Sequence, residues 1–188
     1  APSEVIATAL MAMGKDPNDL SPESLSAAEK LLLGMRPSVR KIDYLTQIED
    51  LANGSQCLLL TWPADVIRAR ARARESGREV DFRYVIPKEG TIRWIDTLTI
   101  PADAPNRAEA HAFIDFLMHA DVAARNANFI GTPSANSAAL PMIDEALRTD
   151  PNVYPTAEVR AKLVSLRART QEESRLENRV WTRFRTGQ

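Results

Sequence analysis

Two short aromatic–carboxylate pairs are the residues of this chain best suited to chemistry. Trp62 and Asp65 lie three apart in Thr61-Trp-Pro-Ala-Asp65, and Trp94 and Asp96 lie two apart in Arg93-Trp-Ile-Asp96. An aromatic face attracts a cation, and a carboxylate holds an ammonium group through a charge-assisted hydrogen bond. Both pairs therefore suit a cationic amine. Each also has a plain structural reading. Trp62 and Asp65 read as a core tryptophan and a helix-capping aspartate, and Asp96 as a strand-end carboxylate bonded to a helix N-terminus.

The elements around them decide how they are held. Leu51-Ala-Asn-Gly54 closes a helix, with Gly54 taking the left-handed conformation. Cys57 to Leu60 is an apolar run that reads as a strand buried on both faces. Trp62 and Asp65 then fall at that strand's C-terminal end, where ligands collect in open α/β sheets. Ala64 to Ser76 makes the next helix. Val80 to Ile86 alternates as a strand, Pro87-Lys-Glu-Gly90 turns, and Thr91 to Ile100 is a second strand. These two strands pair as a hairpin or bridge two lobes. In a strand Trp94 and Asp96 share a side, and a buried Asp96 requires a partner.

Elsewhere the pattern is helical. Ser3 caps a helix to about Met13, ended by Gly14. Pro22 starts another, with Leu25, Ala28, Leu32 and Met35 on one face. Val39 to Tyr44 reads as a short strand and Tyr44 to Ala52 as a short helix. Asn106 caps an amphipathic helix through Met118, and Asp121 starts one to about Asn128. Gly131 to Ser137 is a loop of small residues. Leu140 to Leu147, Thr156 to Ala168 and Gln171 to Arg185 complete the helices. Strands alternating with helices make the fold class α/β.

Totals narrow the function classes. The 188 residues carry 24 Lys and Arg against 25 Asp and Glu, for a formal charge of −1. That balance offers no electrostatic case for nucleic acid or a membrane surface. No apolar run approaches the roughly 20 residues that cross a bilayer. The opening Ala1-Pro2-Ser3-Glu4 carries no signal-peptide pattern, as expected of a mature, processed or truncated chain. Cys57 is the single cysteine and reads as a small buried hydrophobe. The arginines at 68, 70, 72 and 74 spread round a helix, since residues two apart point roughly 200° apart. The charged run Arg160 to Arg185 reads as an exposed helical face. His111 and His119 have no carboxylate at ligand spacing beyond Asp115, so no metal is expected. Cys57 has no evident histidine partner, so no catalytic nucleophile is expected, and no phosphate loop or cofactor motif occurs.

Gly14-Lys-Asp-Pro-Asn18, Met35-Arg-Pro37, Asp50-Leu-Ala-Asn-Gly54, Trp62-Pro-Ala-Asp65, Ile86-Pro-Lys-Glu-Gly90, Ile100-Pro-Ala-Asp-Ala104, Ser134-Ala-Asn136, Asp150-Pro-Asn-Val-Tyr-Pro155 and Val180-Trp-Thr-Arg183 follow one another in this order. Together they make the chain resemble the C-terminal half of the periplasmic polyamine-binding proteins of ABC transporters, nearest to the putrescine type. The resemblance implies a type II periplasmic binding protein fold and a diamine held in an interlobe cleft. It implies that Glu4 bonds one amine end, that Trp62 stacks, and that Asp65 holds an ammonium group. It aligns Trp94 with an aromatic and Asp96 with a ligand carboxylate. Thr132 stands where putrescine binders of the family carry Tyr, which opens the identity and length of the ligand. Some relatives bridge the position of Cys57 to a cysteine just before Ala1, which would explain an unpaired thiol.

On this resemblance, residues 1–96 form the second lobe and hinge, 97–133 return to the first lobe, and 134–188 finish the second. The helix carrying Ala112, Phe113, Phe116 and Leu117 then lacks its native sheet and is expected to pair with a missing N-terminal segment or a second copy. The expected function is a periplasmic putrescine- or spermidine-binding component that delivers to a membrane permease, without catalysis. A receptor for agmatine or spermidine, an α/β enzyme acting on an amine, and an assembly module are the alternatives.

Overall fold

Caps and prolines decide where the helices begin. In the computed structural model, which describes residues 1–187, the helices are α1 (Pro2–Ala12), α2 (Pro22–Met35), α3 (Gln47–Ala52) and α4 (Pro63–Glu75). After strand β1 (Thr91–Ile92) come α5 (Arg107–Met118), α6 (Ala120–Ile130), α7 (Glu145–Arg148) and α8 (Ala157–Ala161). Strand β2 (Leu163–Val164) and α9 (Gln171–Thr186) follow. Short 3₁₀ turns occupy Arg36–Ser38 and Ser137–Met142. Prolines 2, 22 and 63 sit in the first turns of α1, α2 and α4, where a missing N–H costs nothing. Ser21 caps α2, its hydroxyl accepting from the Ser24 N–H. Thr170 and Glu173 form a reciprocal capping box on α9.

The chain divides into two units. The first comprises Ala1–Asp43, Ile86–Trp94 and the residues from Ala157 onward. Its core joins α1, α2 and α9 through Ile6, Leu10, Leu25, Ala28, Leu32, Val180 and Phe184. β1 and β2 pair in parallel, with Thr91 opposite Leu163 and Ile92 opposite Val164. Gly90 enters β1 at φ +101°, and a Cβ there would lie 2.2 Å from the Lys162 carbonyl oxygen. Only glycine fits that approach.

Polar bonds tie the segment before α9 to the α1–α2 loop. The Arg169 guanidinium bonds both Glu177 Oε1 (3.3 Å) and Asn18 Oδ1 (3.0 Å), and Asn18 Nδ2 donates to the Ser165 carbonyl (3.1 Å). Arg167 holds Glu173 with two guanidinium bonds. The run Arg160 to Arg185 is therefore not a uniformly exposed face. Arg169 and Glu177 form an ion pair largely withdrawn from water.

The second unit comprises Tyr44–Val85 and Ile95–Thr156. α3 and α4 pack through Leu51, Ala52, Val66, Ala69 and Ala73, with Leu59, Val80, Phe82 and Tyr84 laid against them. The Arg70 guanidinium lies 5.9 Å from the Phe82 ring centroid and donates to the Phe82 carbonyl, while Arg72 pairs with Glu49. The arginines of α4 thus serve several directions. α6 packs on the turn at 137–142 through Ala124, Ala127, Ala139 and Ile143. α5 buries no residue, and Phe113, Phe116 and Met118 remain exposed.

Several expected elements are corrected. Ser3 does not cap α1, which begins at Pro2. Cys57 to Leu60 is not a buried strand: Cys57 is exposed, and Leu58 keeps 92% of its surface in water. Residues 39–44 and 80–86 form no strand either, and the strand expected from Thr91 to Ile100 ends at Ile92. A strand needs a ladder partner as well as a side-chain pattern. No hairpin forms at Pro87-Lys-Glu-Gly90, although the turn itself closes with Gly90 N–H to Pro87 C=O at 2.9 Å. The helix expected over Thr156 to Ala168 stops at Ala161, because Leu163 and Val164 pair with β1 instead.

Candidate functional site

In the second unit, Trp62 is the N-cap of α4 and Asp65 lies in its first turn. Pro63 fixes the helix start, so the tryptophan stands just outside the helix while the carboxylate lies near the amide-rich end that favours negative charge. Trp62 keeps 38% of its surface exposed. Asp65 is 6% exposed. Its Oδ2 accepts from Gln47 Nε2 at 2.7 Å and from Thr61 Oγ1 at 2.8 Å. Asp65 makes no ion pair among the described residues. Gln47 is itself 6% exposed and opens α3, and the α3–α4 packing brings it to Asp65.

Thr132 is half-buried and follows Gly131, which ends α6 at φ +78°. A Cβ on Gly131 would fall 2.8 Å from Ile67 Cδ1, so the glycine lets the end of α6 press against α4 two residues past Asp65. This brings the backbone leading into Thr132 beside the helix of Trp62 and Asp65. Ser134 N–H donates to the Tyr154 hydroxyl at 3.0 Å, holding the far side of the same loop. Asp96 also belongs to this unit but is exposed, on a segment without strand structure. Being exposed, Asp96 needs no buried partner, which corrects the sequence expectation.

In the first unit, Glu4 occupies the first turn of α1, and its Oε2 accepts from the α-ammonium group of Ala1. Glu4 is half-buried. Trp94 lies two residues past β1 and is 48% exposed. The structure therefore gathers Trp62, Asp65 and the approach to Thr132 in one unit, and Glu4 and Trp94 in the other.

Gln47 and Thr61 escaped the sequence reading. Thr61 had a local signal, a hydroxyl four residues before a helix-opening carboxylate. Gln47 had none, since 18 residues separate it from Asp65 and only helix packing joins them. Among the described residues no group of three or more His, Cys, Asp or Glu is placed to hold a metal ion.

Comparison with known proteins places the chain in a family. The family model described as bacterial extracellular solute-binding protein matches residues 1–150. The putrescine-binding periplasmic protein PotF of Escherichia coli is 39% identical over 188 residues, covering 100% of this chain and 51% of that protein. The putrescine-binding periplasmic protein SpuD of Pseudomonas aeruginosa is 37% identical, again over 100% and 51%. A solved structure of a Listeria monocytogenes protein assigned to spermidine/putrescine ABC transport superposes with a TM-score of 0.88 at 25% identity. That superposition covers 100% of this chain and 56% of the other. The chain thus spans about half the length of the curated relatives it matches. Its fold is the helix-rich α/β fold of periplasmic binding proteins. The family match covers most of the residues, and the chain belongs to the bacterial extracellular solute-binding proteins.

Proposed function

We propose that this chain supplies part of a binding site for a putrescine-like diamine, as the solute-binding component of an ABC importer in the periplasm. The observation that carries the reading is Asp65: a buried carboxylate held only by neutral donors, beside a half-open tryptophan at the head of α4. Charge that no protein cation cancels is what an ammonium ligand needs. The relatives named for putrescine support the same chemistry. Trp62 and Trp94 offer faces to the methylenes and charges of a diamine, and Glu4, Asp65 and Asp96 offer its acceptors. Thr132 sets the length of ligand accepted from its place beside α4. Binding without turnover, followed by delivery to a membrane permease, completes the role.

In this reading residues 1–96 and 134–188 build the second lobe, and 97–133 return to the first. The exposed faces of Phe113, Phe116 and Met118 are covered by polypeptide equivalent to the other half of the relatives' length. A second copy of this chain is the competing cover.

Equilibrium dialysis of labelled putrescine and spermidine tests the proposal, using this chain alone and combined with that other half. Saturable retention by the combination is the expected result. Asp96→Asn is expected to weaken it by about tenfold or more, as for loss of a charge-assisted bond, with an unchanged unfolding curve. Unchanged affinity in that variant removes Asp96 from the site. Conversion of the amine to a product would favour an enzyme.

A further inference from the structure

We infer that Gln47 and Thr61 are positioning residues that aim Asp65 at the amine, an inference that rests on reading Asp65 as an amine ligand. Both side-chain bonds that Asp65 accepts fall on the same oxygen, Oδ2, at 2.7 and 2.8 Å. Oδ1 accepts no hydrogen bond among the described residues. An ionised carboxylate offers about two acceptor positions on each oxygen. Two donors therefore fill Oδ2 and leave Oδ1 for an ammonium group.

The donors come from independent elements. Thr61 precedes the Trp62 cap of α4, and Gln47 opens α3. Rotating the carboxylate would break both bonds at once, so its plane is fixed before a ligand arrives. Gln47 is buried as deeply as Asp65, and a buried amide without a partner is costly. That burial commits its N–H to the carboxylate. The two donors are also neutral. Neither brings a positive charge to the carboxylate, as an arginine or lysine in the same place would. The arrangement instead keeps a fixed, uncompensated negative charge, and preorganisation of this kind raises affinity by lowering the cost of ordering the site.

Putrescine affinity, measured on the combination of polypeptides that retains it, separates positioning from packing. Thr61→Val keeps the side chain's shape and loses the donor; Thr61→Ser keeps the donor and loses a methyl. The expected result is about tenfold weaker binding for Thr61→Val and Gln47→Leu, the size of a lost hydrogen bond to a charged group. Thr61→Ser is expected to stay within about twofold of the parent, because the charged bond is retained. Urea midpoints for each variant report folding separately, and Thr61→Val carries the test if Gln47→Leu fails to fold. Asp65→Asn is the reference. If Asp65→Asn loses binding while Thr61→Val and Gln47→Leu bind like the parent, the positioning role is overturned and the amine site stands. If Thr61→Ser is the damaging variant and Thr61→Val is not, the residue acts by packing and the inference is again overturned. If Asp65→Asn binds like the parent, Asp65 is no ligand and both readings fall.

Discussion

The two units handle apolar side chains in opposite ways. In the first, Ile6, Leu10, Leu25, Leu32 and Phe184 are buried where α1, α2 and α9 meet. In the second, the buried core is rich in alanine, with Ala52, Ala69, Ala73, Ala124, Ala127 and Ala139, while Leu58, Phe113, Phe116 and Phe129 face outward. Apart from Met35 and Trp94, the large apolar side chains exposed among the described residues all belong to the second unit. A face of exposed aromatic and aliphatic side chains marks an interaction surface. The unit that turns its apolar residues outward is also the one that holds Trp62, Asp65 and Thr132. The exposed apolar surface and three of the proposed amine ligands, Trp62, Asp65 and Thr132, thus share one unit, while Glu4 and Trp94 lie in the other.

That contrast breaks most visibly in the core of the first unit. Leu10 is fully buried, so Leu10→Ala is expected to cost about 3 kcal/mol through lost burial and the cavity left behind. A urea titration checks it, and a loss under about 1 kcal/mol would mean this core is not the closed one described. Gly90→Ala comes next. It forces a left-handed residue and a clash with the Lys162 carbonyl, expected to cost about 2 kcal/mol. Loss of protection at the Arg93 amide, which donates to Val164 C=O, would locate that damage at the β1–β2 pair.

Acid sharpens the account of how α9 is held. Hydrogen bonds from Arg167 lower the Glu173 carboxyl from its ordinary 4.5 to about 2. Between those values the unfolded chain binds more protons than the folded one. The stability from this group is present above about pH 4.5 and is lost as pH falls toward 2. Glu177 is raised, first by burial, so its own contribution runs in the opposite sense and is lost as pH rises. Glu173→Gln is expected to lie below the parent in stability at pH 6 and to converge with it near pH 2. Parallel curves across that range would show that Glu173 does not carry the acid limb. The smallest effect belongs to the outward face. Phe113 is 58% exposed, so Phe113→Ser is expected to change the stability of the chain alone by no more than about 0.5 kcal/mol. Its effect should fall on association, read as weaker pairing with the covering polypeptide in sedimentation.

The sequence makes the helices legible because their signals are local. Ser21-Pro22, Trp62-Pro63 and Thr170 through Glu173 carry caps and first-turn prolines within a few residues, and α2, α4, α5 and α9 appear close to their expected spans. Strands fared differently because a ladder is nonlocal. Val80 to Ile86 has a strand's alternation and stays unpaired, whereas Leu163 and Val164, set inside a helical pattern, find β1 from 72 residues away. Asp65 was legible as a carboxylate three residues after an aromatic, next to a helix start, although the strand expected before it does not form. Gln47 was not, since helix packing and no local spacing brings it there. Cys57 looked buried because its neighbours are apolar, but apolar neighbours bury a residue only when something packs on them.

The most direct measurement is a calorimetric titration of putrescine into the chain combined with the other half of its relatives' length, for the parent and for Asp65→Asn. The account predicts saturable one-to-one heat in the parent and its loss in Asp65→Asn while the fold and the association survive. Equal heats from both proteins, or none from a properly associated parent, would contradict it.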